Sequence, residues 1–161
     1  MSSPEEGAQE IERGLAVMRA EDRTLELAYF SALYADALMR ARRYDDAASA
    51  LSEAMGLAGK QLDAVFKPEV LRRSGDLARA RDRDPERASA LYQRAAETAR
   101  TYGALSWAVS AEVELARTLV EMGRTGDATA VLDTALRGAE SLGDTAPHRA
   151  AKALRDDLAR S

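Results

Sequence analysis

The segment Tyr44–Ala54 recurs twice along the chain, and that repetition constrains the fold more than any other feature. Its helically spaced residues Ala47, Leu51 and Ala54 return as Ala88, Tyr92 and Ala95, and again as Ala128, Leu132 and Ala135. The leading alanines are 41 and 40 residues apart. Apolar residues at i, i+4 and i+7 share one helix face. A fixed period of this size marks stacked two-helix units, because one unit cannot bury its apolar face alone.

A second helix precedes each of these. Ala35, Gly75 and Ala116 lie 12 or 13 positions before the leading alanines. Small residues at those places let two antiparallel backbones approach closely. Gly75 is one residue out of step, which places a one-residue insertion in the turn Arg81–Asp84. Arg42-Arg43-Tyr44-Asp45 and Gly123-Arg124-Thr125-Gly126-Asp127 read as a helix stop followed by a helix start, with Gly123 closing its helix. Pro85 and Pro147 suit first helical turns, and Asp84 suits an N-cap. Pro68 suits a first turn if its helix starts near Phe66. The map is a leading helix over about Glu5–Arg19, then Leu25–Ala41 with Asp45–Lys60, Val65–Ala80 with Pro85–Tyr102, and Ala104–Met122 with Gly126–Leu142. A closing helix covers about Pro147–Arg160. The expectation is one all-α domain over residues 1–161, with about residues 1–4 disordered.

Composition narrows the function. Alanine and leucine dominate the 46% hydrophobic content, as helix packing favours. The net charge of −4 argues against a nucleic-acid binder, which needs a basic footprint. There is no cysteine and a single histidine, so disulfides, thiolate metal sites and most zinc sites are excluded, and no cofactor is implied. No apolar run is long enough to span a membrane, and the acidic start is not a secretory signal. These features fit a soluble cytoplasmic protein.

The pattern of a small residue followed by Ala-x-x-x-Leu/Tyr-x-x-Ala on paired helices resembles tetratricopeptide repeats. The usual repeat is about 34 residues; these are about 40, so the helices are longer. The longer-repeat region at the C-terminal end of bacterial LuxR-type regulators, signalling ATPases and nucleotide cyclases is more similar still. The matching stretches are Gly14–Ala20, Ala28–Leu33, Pro68–Leu77 and Ala104–Trp107, with Gly143–Pro147 before Ala150–Leu154 at the end. The resemblance implies a right-handed α–α superhelix of about three helix pairs, with a leading and a closing helix. It also implies a concave groove lined by the first helix of each pair. Those relatives carry catalytic or DNA-binding parts upstream. No phosphate-binding loop or basic recognition helix is present here, so a stand-alone version or a C-terminal piece of a larger regulator is expected.

No constellation suggests catalysis, and the chain is expected not to be an enzyme. The adjacent carboxylates Asp45-Asp46 and Asp156-Asp157 diverge on a helix rather than converging on one atom. His148 lacks an orienting partner and suits a surface or capping role. Trp107 suits core filling, and Tyr29, Phe30 and Tyr34 cannot all share one face. The basic stretch from Lys67 to Arg83 stands out in an acidic chain. In a solenoid, Arg72, Arg73, Asp76 and Arg79 would face the groove, beside Arg40 and Arg117 of neighbouring pairs. Tyr29, Leu33, Asp36 and Glu121 complete the candidate groove. Arginines there favour an acidic peptide through bidentate hydrogen bonds. The expected function is a non-catalytic scaffold that binds a protein or peptide. The alternative is an effector-sensing domain of a larger bacterial ATPase or transcriptional regulator. Capping helices at both ends favour a monomer or weak homodimer.

Overall fold

The computed structural model describes residues 3–21, 26–59, 64–140 and 143–160. The expected helix ends at Leu25, Lys60 and Leu142 lie outside these residues. Among them the chain is all-helical, with eight α-helices. It divides between Arg83 and Asp84 into two compact units.

The first unit contains α1 (Pro4–Ala20), α2 (Leu27–Arg40), α3 (Tyr44–Ala58) and α4 (Lys67–Leu77). A 3-10 turn, Ala64–Phe66, enters α4, and a π-helical turn, Ala78–Asp82, leaves it. Helical order reaches into the stretch expected to be disordered. Ser3 Oγ accepts from the Glu6 amide while Glu6 Oε2 accepts from the Ser3 amide at 2.7 Å. This reciprocal cap satisfies two donors at the start of α1, and Pro4 lacks the donor a first-turn residue would leave unpaired. The core is built from small residues: Ala28, Ala32 and Ala35 of α2 and Ala47 and Ala54 of α3 are fully buried. Alanines on both faces let α2 and α3 pack closely, with Leu38 and Leu51 filling the remaining space. Tyr29 packs on Phe66 of the 3-10 turn, with ring centroids 5.6 Å apart, and edge-on to Phe30. Pro68 occupies the first turn of α4, where it breaks no helical hydrogen bond.

The one-residue insertion is absorbed inside a helix rather than in the loop after it. Between Gly75 and Ala88 the chain widens into the π turn Ala78–Asp82 and then passes through Arg83, at φ +52°. A π turn holds one more residue than an α turn, so it takes up the extra position.

The second unit contains α5 (Pro85–Thr101), α6 (Leu105–Glu121), α7 (Thr125–Ala139) and α8 (Ala146–Arg160). The helices expected as the second pair, α4 and α5, therefore fall in different units. Asp84 caps α5 by accepting from the Arg87 amide at 2.9 Å. α6 is the central element and packs on α5, α7 and α8. Its residues Ala108, Val109, Ala111, Ala116 and Leu119 are buried. α8 packs on α6 and α7, buries Ala151, and is tied to α7 by Arg155 Nε donating to Asp133 at 2.7 Å. His148 Nδ1 lies 2.7 Å from the Gly143 carbonyl, a local contact at the start of α8.

Three turns share one geometry. The amides of Arg43, Ala104 and Arg124 donate back to the carbonyls of Leu38, Ala99 and Leu119 at 2.8–2.9 Å. The residue before each donor is left-handed: Arg42 at φ +60°, Gly103 at +69° and Gly123 at +74°. This is the six-to-one closure that ends a helix on a left-handed residue. After it, Arg43 pairs with Asp46 and Arg124 with Asp127 at the starts of α3 and α7.

Candidate functional site

The ten residues expected to line a groove are distributed over both units. Tyr29, Leu33, Asp36 and Arg40 lie on α2, Arg72, Arg73 and Asp76 on α4, and Arg79 in the π turn. Arg117 and Glu121 lie on α6 in the second unit. Within the first unit Arg40, Arg72 and Arg73 are matched by acids of their own helices. Arg40 pairs with Asp36 at 3.0 Å. Arg72 donates to Glu69 at 3.1 Å and to Asp76 at 3.0 Å. Arg73 is buried, 6% exposed, and pairs with the equally buried Glu69. Arg117 lies 3.6 Å from Glu114.

Glu69 organises the α4 cluster. Burial alone would push its carboxyl up, but the hydrogen bonds and charges of Arg72 and Arg73 outweigh burial and hold it below its ordinary value. The sequence signal is Glu69 three and four residues before Arg72 and Arg73, the spacing of intrahelical ion pairs. Arg72 and Arg73 therefore act within α4, where they neutralise a buried acid.

A different concavity lies in the second unit. Two short turns reverse the chain at Tyr102–Ala104 and Met122–Arg124, so α5 and α7 run in the same direction along α6. Between them is a groove of about 640 Å³. Leu115 and Leu119 of α6 form its apolar floor, and Ala90, Ala96 and Ala130 keep its walls low. Glu86, Gln93 and Glu97 of α5 and Asp127 and Thr134 of α7 form an exposed rim.

A charged pair sits at one end of this groove. Arg100 of α5 donates to Oε1 of Glu112 on α6 at 2.5 Å. Glu112 is 6% exposed, and its Oε2 is buried without a hydrogen-bond partner among the described residues. Burial pushes the Glu112 carboxyl up, against the opposing pull of Arg100. Gly138 of α7 makes room for Arg100, since a Cβ there would meet the Arg100 Nη1 at 2.9 Å. At the other end Arg124 pairs with Asp127 at 2.8 Å.

Sequence reasoning missed this groove because it assigned binding to the first helix of each pair, whereas α5 and α7 are second helices. A signal existed in Glu112, a carboxylate on a stripe with Ala108, Leu115, Ala116 and Leu119, all of them buried. An acid on the apolar face of a helix must find a cation or a low-dielectric niche. Among the described residues no cluster of three or more acidic or histidine side chains could hold a metal ion. No helix among them is long and apolar enough to cross a membrane. No protein-family model and no curated protein matches this chain.

Proposed function

We propose that the chain is a non-catalytic module that binds a protein or peptide through the groove between α5 and α7. The observation that supports this reading is a preformed trough with an apolar floor and a charged, exposed rim. Such a surface offers burial for an apolar stripe and polar contacts at its edges, as helix-binding grooves do. Its walls are already ordered, so less conformational freedom is lost on binding. The reading includes a tetratricopeptide-like, right-handed superhelix for the helix pairs. Its support is the common closure of the turns at Arg42, Gly103 and Gly123. An acidic partner loses its main support, because Arg72 and Arg73 are paired inside α4.

Ala130 is exposed on the groove wall, so Ala130→Arg obstructs the trough without disturbing the core. Affinity purification from the native cell should recover a partner with the wild-type chain and lose it with Ala130→Arg. Recovery of the same partners by both chains contradicts the reading.

A further inference from the structure

Resting on that reading, we infer that the groove between α5 and α7 takes an amphipathic helix of a partner protein whose apolar stripe is flanked by lysine or arginine. Three observations on the second unit lead there. The first is charge. The lining contains the carboxylates Glu86, Glu97, Glu112 and Asp127 against the guanidiniums of Arg100 and Arg124. Both guanidiniums are engaged, Arg100 with Glu112 and Arg124 with Asp127. The balance is two negative charges, carried by Glu86 and Glu97 on the exposed face of α5. Complementarity then calls for cationic flanks on the ligand.

The second observation is the buried Oε2 of Glu112, which has no hydrogen-bond donor among the described residues. Glu112 lines the groove where α5 meets α6 and engages Arg100 there, so that end of the lining offers a ligand carboxylate no unengaged guanidinium.

The third is shape. The α5 wall repeats once per turn from Glu86 to Arg100, a length of about 21 Å at the rise of an α-helix, which matches a ligand helix of about 14 residues. Low walls at Ala90, Ala96 and Ala130 let another helix approach closely. All three bounding elements are helices whose backbone groups bond internally. An extended peptide would find no row of unpaired amides, so recognition runs through side chains.

The test uses two fluorescein-labelled, amidated peptides of about 14 residues with the same leucine stripe, one flanked by lysine and one by glutamate. Fluorescence anisotropy against the full chain at low salt should show saturable binding of the lysine peptide, at least about tenfold tighter than the glutamate peptide. Glu86→Lys/Glu97→Lys should reverse that preference, while Glu140→Lys/Asp156→Lys, exposed and off the groove, should leave it in place. Circular dichroism of each variant checks that the fold is kept. Equal or tighter binding of the glutamate peptide overturns the inference, and so does lysine-peptide binding that is insensitive to Glu86 and Glu97. Binding of neither peptide overturns it as well. If a native partner is nonetheless lost with Ala130→Arg, the groove reading survives and only the ligand chemistry fails.

Discussion

The guanidinium of Arg100 is held between Glu112, whose Oε1 accepts its hydrogen bond at 2.5 Å, and Gly138, whose missing side chain leaves it room. Three helices thus meet at one cation. A Cβ at position 138 would meet the Arg100 guanidinium at 2.9 Å, so the cation that bonds the buried Glu112 has to shift.

This arrangement predicts coupling between Gly138 and Glu112. Gly138→Ala gains about 1 kcal/mol of helix propensity, but in the wild-type background displacement of Arg100 offsets that gain. In a Glu112→Gln background the pair is gone and the gain should appear. Urea denaturation of the four proteins should give a coupling energy of about 1 kcal/mol. Equal effects of Gly138→Ala in both backgrounds contradict the packing described.

The two buried carboxylates predict opposite responses to pH. Glu69 is held below its ordinary value of 4.5 by Arg72 and Arg73. Its contribution is therefore full above about pH 4.5 and lost as pH falls through its folded value. Glu69→Gln leaves Arg73 buried without its counter-charge and should cost about 3–5 kcal/mol at neutral pH, a deficit that narrows in acid. Glu112 is shifted the other way. Its ionised form costs stability at neutral pH, and acidification relieves that cost. Glu112→Gln should melt at an equal or higher temperature than wild type at pH 7. Thermal melts between pH 3 and 8 measure both, and a large neutral-pH loss for Glu112→Gln contradicts the assignment.

Arg42 predicts a simple stabilising change. It takes the left-handed place in its turn that glycine fills at 103 and 123. The conformation costs an L-residue about 1–2 kcal/mol, and Arg42 is exposed. Arg42→Gly should stabilise the chain by about 1 kcal/mol once glycine's greater chain entropy is counted. A lower melting temperature contradicts the equivalence of the three turns.

Periodicity makes the helices legible in the sequence. Ala47, Ala88 and Ala128 are all fully buried, as are Ala54, Ala95 and Ala135. Their helices start at Tyr44, Pro85 and Thr125, in the register the repeats imply. The odd spacing at Gly75 also carried information, because one extra residue must go somewhere. Sequence could not say that a π turn would hold it, since the choice between loop and helix depends on packing around Ala78, which is 2% exposed. Site residues were harder to read. Arg72 and Arg73 stood out as a basic run, yet helical spacing joins them to Glu69 and Asp76 and neutralises them locally. Arg100 and Glu112 are 12 residues apart on different helices, so the turn at Gly103, not sequence proximity, brings them together.

Calorimetric titration of a purified native partner against three forms of the chain separates the two candidate surfaces most directly. The forms are wild type, Ala130→Arg on the α5–α7 groove, and Arg40→Glu/Arg117→Glu on the first helices of the pairs. Groove binding predicts that Ala130→Arg weakens affinity at least about tenfold, a change of about 1.4 kcal/mol, while Arg40→Glu/Arg117→Glu binds as wild type does. Full affinity for Ala130→Arg together with loss for Arg40→Glu/Arg117→Glu would contradict it.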